Sequence, residues 1–159
     1  MTRWLKGRIF VAAGLVFVLD RLTKYFIIKS FAPGQSVKVV PDIFHITPVF
    51  NNGAAFGVLQ NCSPFFIVFS FAAIALMLLI IFKTRRPDTL FAVSLALILG
   101  GAAGNLTDRL KFGYVIDFLD FRIWPVFNIA DSCISIGIAL IAFRLIFNPP
   151  SGEASHKIG

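Results

Sequence analysis

Charge is scarce in this chain: only 14% of its 159 residues are Asp, Glu, Lys or Arg, against about 25% in an ordinary soluble domain. Histidine is scarcer still, with His45 and His156 alone and no HExxH, which removes the usual zinc-peptidase helix. The two cysteines, Cys62 and Cys133, have no CxxC spacing and support neither a disulfide framework nor a metal site. Cys133 lies in an apolar run and reads as a small buried thiol. A GxSG serine motif and a GxGD aspartate motif are also missing, which speaks against rhomboid-type and presenilin-type intramembrane proteases. There is no internal repeat, low-complexity tract or second domain. The expectation is a single unit with no metal and no cofactor.

What is abundant is apolar surface. Hydrophobic residues make up 57% of the chain, 19 of them phenylalanine, and the mean hydropathy is +0.83. So greasy a composition in so short a chain implies an integral membrane protein. A net charge of +7 is compatible with nucleic-acid binding, but the positive residues sit mostly at the ends of apolar runs. That is a topology signal, and no nucleic-acid partner is expected. The N-terminus, MTRWLKGRIFVAAGLVFVLDRLTK, begins like an export signal. No small-x-small cleavage site follows, so it reads as a retained helix.

A membrane-spanning helix needs ~20 mostly apolar residues. Four stretches qualify, at about 9–28, 64–82, 90–106 and 126–147. Arg3, Lys6, Arg8, Lys83, Arg85, Arg86, Arg144 and Lys157 then share one face, which should be cytoplasmic together with both termini. The opposite face collects Asp20, Asp42, Asp108, Asp117, Asp120 and Asp131. Residues 31–63 alternate in polarity and carry Pro33-Gly34, Pro41-Asp42 and Asn52-Gly53, which predicts a small sheet on the outer surface. The expected fold class is therefore a mainly α membrane protein with four transmembrane helices and a small outer β-sheet. The tail, 149–159, reads as disordered.

Polar groups inside apolar segments need a reason, because an unsatisfied one in hydrocarbon is costly. Asp20 and Lys24 are four apart on one helix face and able to pair; a structural ion pair and a role in substrate binding stay equally open. Arg21 reads as a headgroup-seeking side chain. Asn105, Asp108 and Arg109 have helical spacing, and Asn105 needs a partner, for which Asn128 is the obvious candidate. Gly100, Gly101 and Gly104 invite close helix packing. Asp117 lies in VIDFLDF, which reads as an apolar loop, with Asp120 as an exposed loop acid. Asp131 should lie about a turn and a half inside the fourth span. Two carboxyls in contact share a proton, one serving as base and the other as acid. Residue spacing alone leaves an aspartic peptidase, an ion pathway and a structural pair open.

The motifs LDRLTK, NNGAAFG, GGAAGNLTDRL, VIDFLDF and FNIADSCI, in this order over nearly the whole chain, resemble the bacterial lipoprotein signal peptidase (signal peptidase II) family. The resemblance implies a monomeric aspartic endopeptidase of the inner membrane with its site at the periplasmic face. Its substrate would be a diacylglyceryl-modified prolipoprotein, held among membrane lipids and cut just before the lipidated cysteine. It implies Asp117 and Asp131 as the catalytic pair. Asp20, Lys24, Asn51, Gly53, Gly101, Gly104, Asn105, Asp108, Arg109, Asn128 and Ala130 would bind substrate or support the site. A small transporter fits less well, because the cytoplasmic halves of the second and third spans carry no charge. A scaffold protein leaves Asp131 unexplained.

Overall fold

Long apolar runs become helices and the β-branched stretches between them become strands. The computed structural model describes residues 2–32, 34–53, 63–84 and 87–147. Helix α1 covers Thr2–Ser30, strands β1 and β2 cover Val37–Val40 and Phe44–Asn51, and α2 covers Ser63–Lys83. Helix α3 covers Thr89–Phe112, strand β3 Val115–Asp120, and α4 Ile129–Phe147. The expected disordered tail at 149–159, and residues 54–62 within the expected outer segment, lie outside the described residues.

Helix α3 is central and packs against α1, α2 and α4. Glycine makes this possible. A Cβ on Gly100 would meet Ala13 O at 2.5 Å, and one on Gly101 would meet Ala130 O at 2.6 Å. Backbone therefore touches backbone, as small residues permit between membrane helices. Ile9 and Ala13 of α1, Ile81 of α2, and Leu95, Ala96 and Leu99 of α3 form the apolar core. Asp88 starts α3 by accepting the Phe91 N–H, and Gly113 ends it at φ 82°, a left-handed cap that suits glycine.

Helices α2, α3 and α4 are each long and apolar enough to cross a membrane. Helix α1 is longer, at 29 residues, but the charges of Asp20, Arg21 and Lys24 set it apart from those three. Phe65, Val68 and Phe69 on α2, and Ile136, Ile138 and Phe143 on α4, are exposed. Asp20, Lys24, Asn105, Asp108 and Asn128 are buried. This inversion of the soluble pattern suits hydrocarbon as solvent.

Three expectations need correction here. The sheet is not confined to 31–63, because VIDFLD is its third strand and not a loop; the strand order is β1-β2-β3, all antiparallel. Helix α3 continues to Phe112, two turns past the expected boundary. Helix α4 starts at Ile129, because Phe127 is bridged to Leu119 of β3 instead. Asp131 therefore lies in the first turn of α4 and not a turn and a half inside it.

The register of β2 on β3 slips by one residue between Ile46↔Leu119 and Val49↔Asp117. Pro48 lies in that interval, and a residue with no N–H to give the ladder suits a bulge. The slip decides which face Asn51 occupies. Beyond the bulge, Val49 and Asn51 stand on the face of Asp117 and Val115; without it, they would stand on the other.

Candidate active site

Asp117 comes from β3 and Asp131 from the start of α4, and three asparagines tie them together. Asn51 Nδ2 donates to Asp117 Oδ2 at 2.9 Å. The Gly53 N–H donates to Asn51 Oδ1, which fixes the amide the right way round. Asn128 Nδ2 donates to Asp117 Oδ1 at 2.6 Å and to Asn105 Oδ1 at 3.1 Å. Asn105 Nδ2 donates to Asp131 Oδ1 at 2.7 Å. Asn105 thus has the Asn128 partner expected from the sequence.

Asn128 and Asp131 also start α4. The Asp131 N–H donates to Asn128 Oδ1 and the Asn128 N–H to Asp131 Oδ2. This reciprocal exchange between the N-cap and the third helical residue is a capping box. One of the two carboxylates is therefore held by the local geometry of a helix start, where a negative charge is favoured.

A second layer of ions lies beneath. Lys24 and Asp108 are fully buried. Lys24 Nζ is 3.0 Å from Asp20 Oδ2, 2.7 Å from Asp108 Oδ2 and 2.9 Å from Asn105 Oδ1. Asp108 also pairs with Arg21 and accepts the Ile116 N–H, tying α3 to β3. Asp20 Oδ1 accepts the N–H of Ala130, one of the free donors at the α4 start. A Cβ on Gly104 would lie 2.5 Å from Asp20 Oδ2, so only glycine leaves room for that carboxylate.

Burial raises the Asp117 carboxyl and the negative charge of Asp131 raises it further, to about 7, against the opposing hydrogen bonds of Asn51 and Asn128. Asp117 and Asp131 both open on a cavity of about 750 Å³ walled by Phe121, Ile123, Trp124 and Phe127. A second, more apolar groove of about 610 Å³ runs between α2, α3 and α4 from Asp131 down to Leu145. Arg109 borders both spaces, its guanidinium 5.1 Å from the Phe66 ring. The two spaces meet at Asp131, so an extended chain entering one and a helix lying in the other would join beside the two carboxyls. No group of His, Cys, Asp or Glu suited to holding a metal occurs among the described residues.

All thirteen residues singled out in the sequence meet at this site or brace it. Three neighbours differ from expectation. Arg21 does not reach for headgroups; it donates to Asp108 and to the Gly104 carbonyl. Gly104 and Asp108 are one helical turn apart, and that spacing was the available signal. Asp120 is not an exposed loop acid but a buried strand residue, accepting from Thr47, the Arg122 N–H and the Arg122 guanidinium. Three residues from Asp117 along a strand, it faces the opposite side of the sheet, with its cross-strand partner His45. Cys133 is half-buried rather than buried.

The signal peptidase (SPase) II family model matches residues 12–147. A lipoprotein signal peptidase of Moorella thermoacetica is 47% identical over 90% of this chain and 94% of its own. That of Pelotomaculum thermopropionicum is 42% identical over 94% and 97%. A bacterial membrane enzyme solved at 2.3 Å by the in meso method superposes with a TM-score of 0.85 at 32% identity, covering 95% of this chain and 94% of that one. With five motifs, the fold and the family model in agreement, this chain belongs to the signal peptidase II family.

Proposed function

We propose that the protein is an aspartic endopeptidase that removes the signal peptide from diacylglyceryl-modified prolipoproteins, cutting just before the lipidated cysteine. Asp117 and Asp131 are its catalytic pair. The observation that carries this is the difference in partners among the buried acids. Asp20 and Asp108 lie against Lys24 and Arg21, whereas the hydrogen bonds to Asp117 and Asp131 come from amides alone. Two carboxyls without a direct counter-ion among the described residues, facing one cavity, hold one proton between them.

With that proton on Asp117, ionised Asp131 draws a proton from water while Asp117 gives its own to the scissile carbonyl. The hydroxyl joins the carbonyl carbon and a tetrahedral diol forms. Collapse breaks the C–N bond: the leaving amine takes the proton from Asp131, a diol hydroxyl gives its own to Asp117 as the new carboxyl forms, and the single-proton state returns. Arg109 and the asparagines hold the reacting groups in place.

The chain crosses the inner membrane four times, with both termini and the α2–α3 link cytoplasmic and the sheet and site at the periplasmic face. Helix α1 is the fourth span because its charges are spent on Asn105, Asp108 and Ala130 rather than exposed to lipid. The signal peptide, itself an apolar helix, lies along the groove between α2 and α4, and the acyl chains remain in lipid. The enzyme works as a monomer without metal or cofactor. Purified protein mixed with a diacylglyceryl-modified lipopeptide, with products weighed by mass spectrometry, tests this. Release of the signal segment is expected; cleavage lost to a chelator and restored by zinc would overturn the mechanism.

A further inference from the structure

Among the described residues, the charged groups that face the aspartate pair come from α1 and α3. Helix α1 supplies Asp20, Arg21 and Lys24; α3 supplies Asp108 and Arg109, whose charge faces Asp108, Asp117 and Asp131. Helix α2 has no charged residue before Lys83, and residues 54–62 contain no Asp, Glu, Lys, Arg or His. His45 and Asp120 lie on the other face of the sheet. Three cations thus face four carboxylates. Two of the carboxylates are held directly by Lys24 and Arg21, so the group is electrically neutral when Asp117 and Asp131 share one proton. Asp20, Lys24, Asp108 and Asp117 are buried, and burial of these four penalises any other total.

Lys24 has a second, directional effect. Only two of its three close partners are acids; the third is the amide oxygen of Asn105. An ammonium only donates, so Asn105 must turn Oδ1 toward it, which leaves Nδ2 for Asp131. Asn128 reinforces the same orientation through Asn105 Oδ1. A flipped Asn105 would set its carbonyl against the Asp131 carboxylate.

We propose that Lys24 is a positioning residue for the aspartate pair, fixing the Asn105 amide on Asp131 and balancing the buried charge so that the pair holds one proton. Lys24 would touch no substrate. The proposal rests on the aspartic reading above, and it goes beyond that reading in giving the α1 cation control of the pair's proton.

The test compares pH profiles of kcat on the diacylglyceryl-modified lipopeptide for wild type, Lys24→Met, Asp20→Asn and the double variant Asp20→Asn/Lys24→Met. Removing a cation favours protonated carboxyls, so Lys24→Met should move both limbs of the profile up by about one pH unit. Asp20→Asn should move them down. The double variant restores the charge and should return the limbs to their wild-type positions, with kcat still at least ~10-fold low because Asn105 has lost the ammonium and is held by Asn128 alone. It also removes both partners of an ion pair, a change more easily tolerated than removing one, so it carries the test if Lys24→Met fails to fold. Limbs that stay put in Lys24→Met, or a double variant with wild-type kcat, would overturn the proposal. Asp117→Asn in the same assay separates the two claims: if it stays active, the aspartic reading fails; if it is dead while the limbs never move, only this inference does.

Discussion

The carboxylates around the site differ in what neutralises them, and the roles proposed for them rest on that difference. Asp117 and Asp131 have only amide donors and face a cavity, so replacing either with Asn removes a titratable group but few contacts. Each single variant should fold and lose at least ~10³-fold in turnover, with the double variant hardly worse, because groups acting as a unit do not add. Mass-spectrometric turnover, with thermal unfolding as the folding control, checks this. The wild-type profile should be bell-shaped, its two limbs belonging to the pair and not to either residue. Activity should fall as pH rises through about 7, the value to which burial and the charge of Asp131 raise the Asp117 carboxyl, as the pair loses its shared proton. Asp120 behaves differently: burial would raise its carboxyl, but the Arg122 N–H, Thr47 and the Arg122 guanidinium together hold it below the usual range. A lowered folded-state value stabilises above the ordinary carboxylate range and is lost as pH falls through the folded value. Asp120→Asn should therefore lower stability near neutrality, by about 1 kcal/mol, and leave the limbs of the activity profile in place. Gly104→Ala should be worse than its single methyl group suggests. Its Cβ meets the Asp20 carboxylate, and overpacking costs roughly 1–3 kcal/mol, so a measured loss of thermal stability and of turnover is expected.

Among the elements, β2 carries the least obvious instruction. Its bulge at Pro48 turns Asn51 toward Asp117, and that single slip of register connects a surface strand to the chemistry. Deleting Pro48 should put Asn51 on the far face and reduce turnover at least as much as Asn51→Ala does, a comparison that kcat measures directly. The helices were legible in the sequence because their apolar runs are long, and α2 falls within a residue or two of its expected bounds. Strand β3 was not, because VIDFLDF is apolar on both faces and shows no alternation. Its residues are buried on both faces, Leu119 alone being half-buried, so the period-2 signal vanishes. The start of α4 was misplaced for a related reason: Val126 and Phe127 are as apolar as the helix they precede, yet pair with β3. The N-x-x-D of Asn128 and Asp131 was the available marker of that boundary. The polar residues that gather here could be singled out despite these errors because the signal lay in something else, the cost of placing acids and amides inside apolar segments.

At the scale of the whole molecule, the polar cluster lies at one end of the helices, beside the sheet, and the apolar groove descends from it. Labelling of single cysteines placed at Lys83 and Lys38 should find the first reachable only from the cytoplasm and the second only from outside; the reverse would invert the proposed topology. The same layout governs substrate choice. On the reading proposed above, a signal peptide lying along the groove is mobile in depth, and its scissile bond reaches Asp131 only if something fixes that depth. Two acyl chains would do so, since drawing them out of lipid costs about 0.8 kcal/mol per CH₂. The bond is thereby held at the interface, level with the pair, and such positioning is worth several kcal/mol of barrier. An unmodified prolipoprotein has the same signal helix and lacks that anchor, so it should bind the groove yet be cut at least ~100-fold more slowly. Single-turnover rates on matched lipidated and unlipidated peptides decide the matter, because excess enzyme removes differences in membrane partitioning. Equal rates would mean that the protein alone sets the depth of the bond, and the walls of the outer cavity, Phe121 and Trp124 among them, would then be the place to look for the anchor.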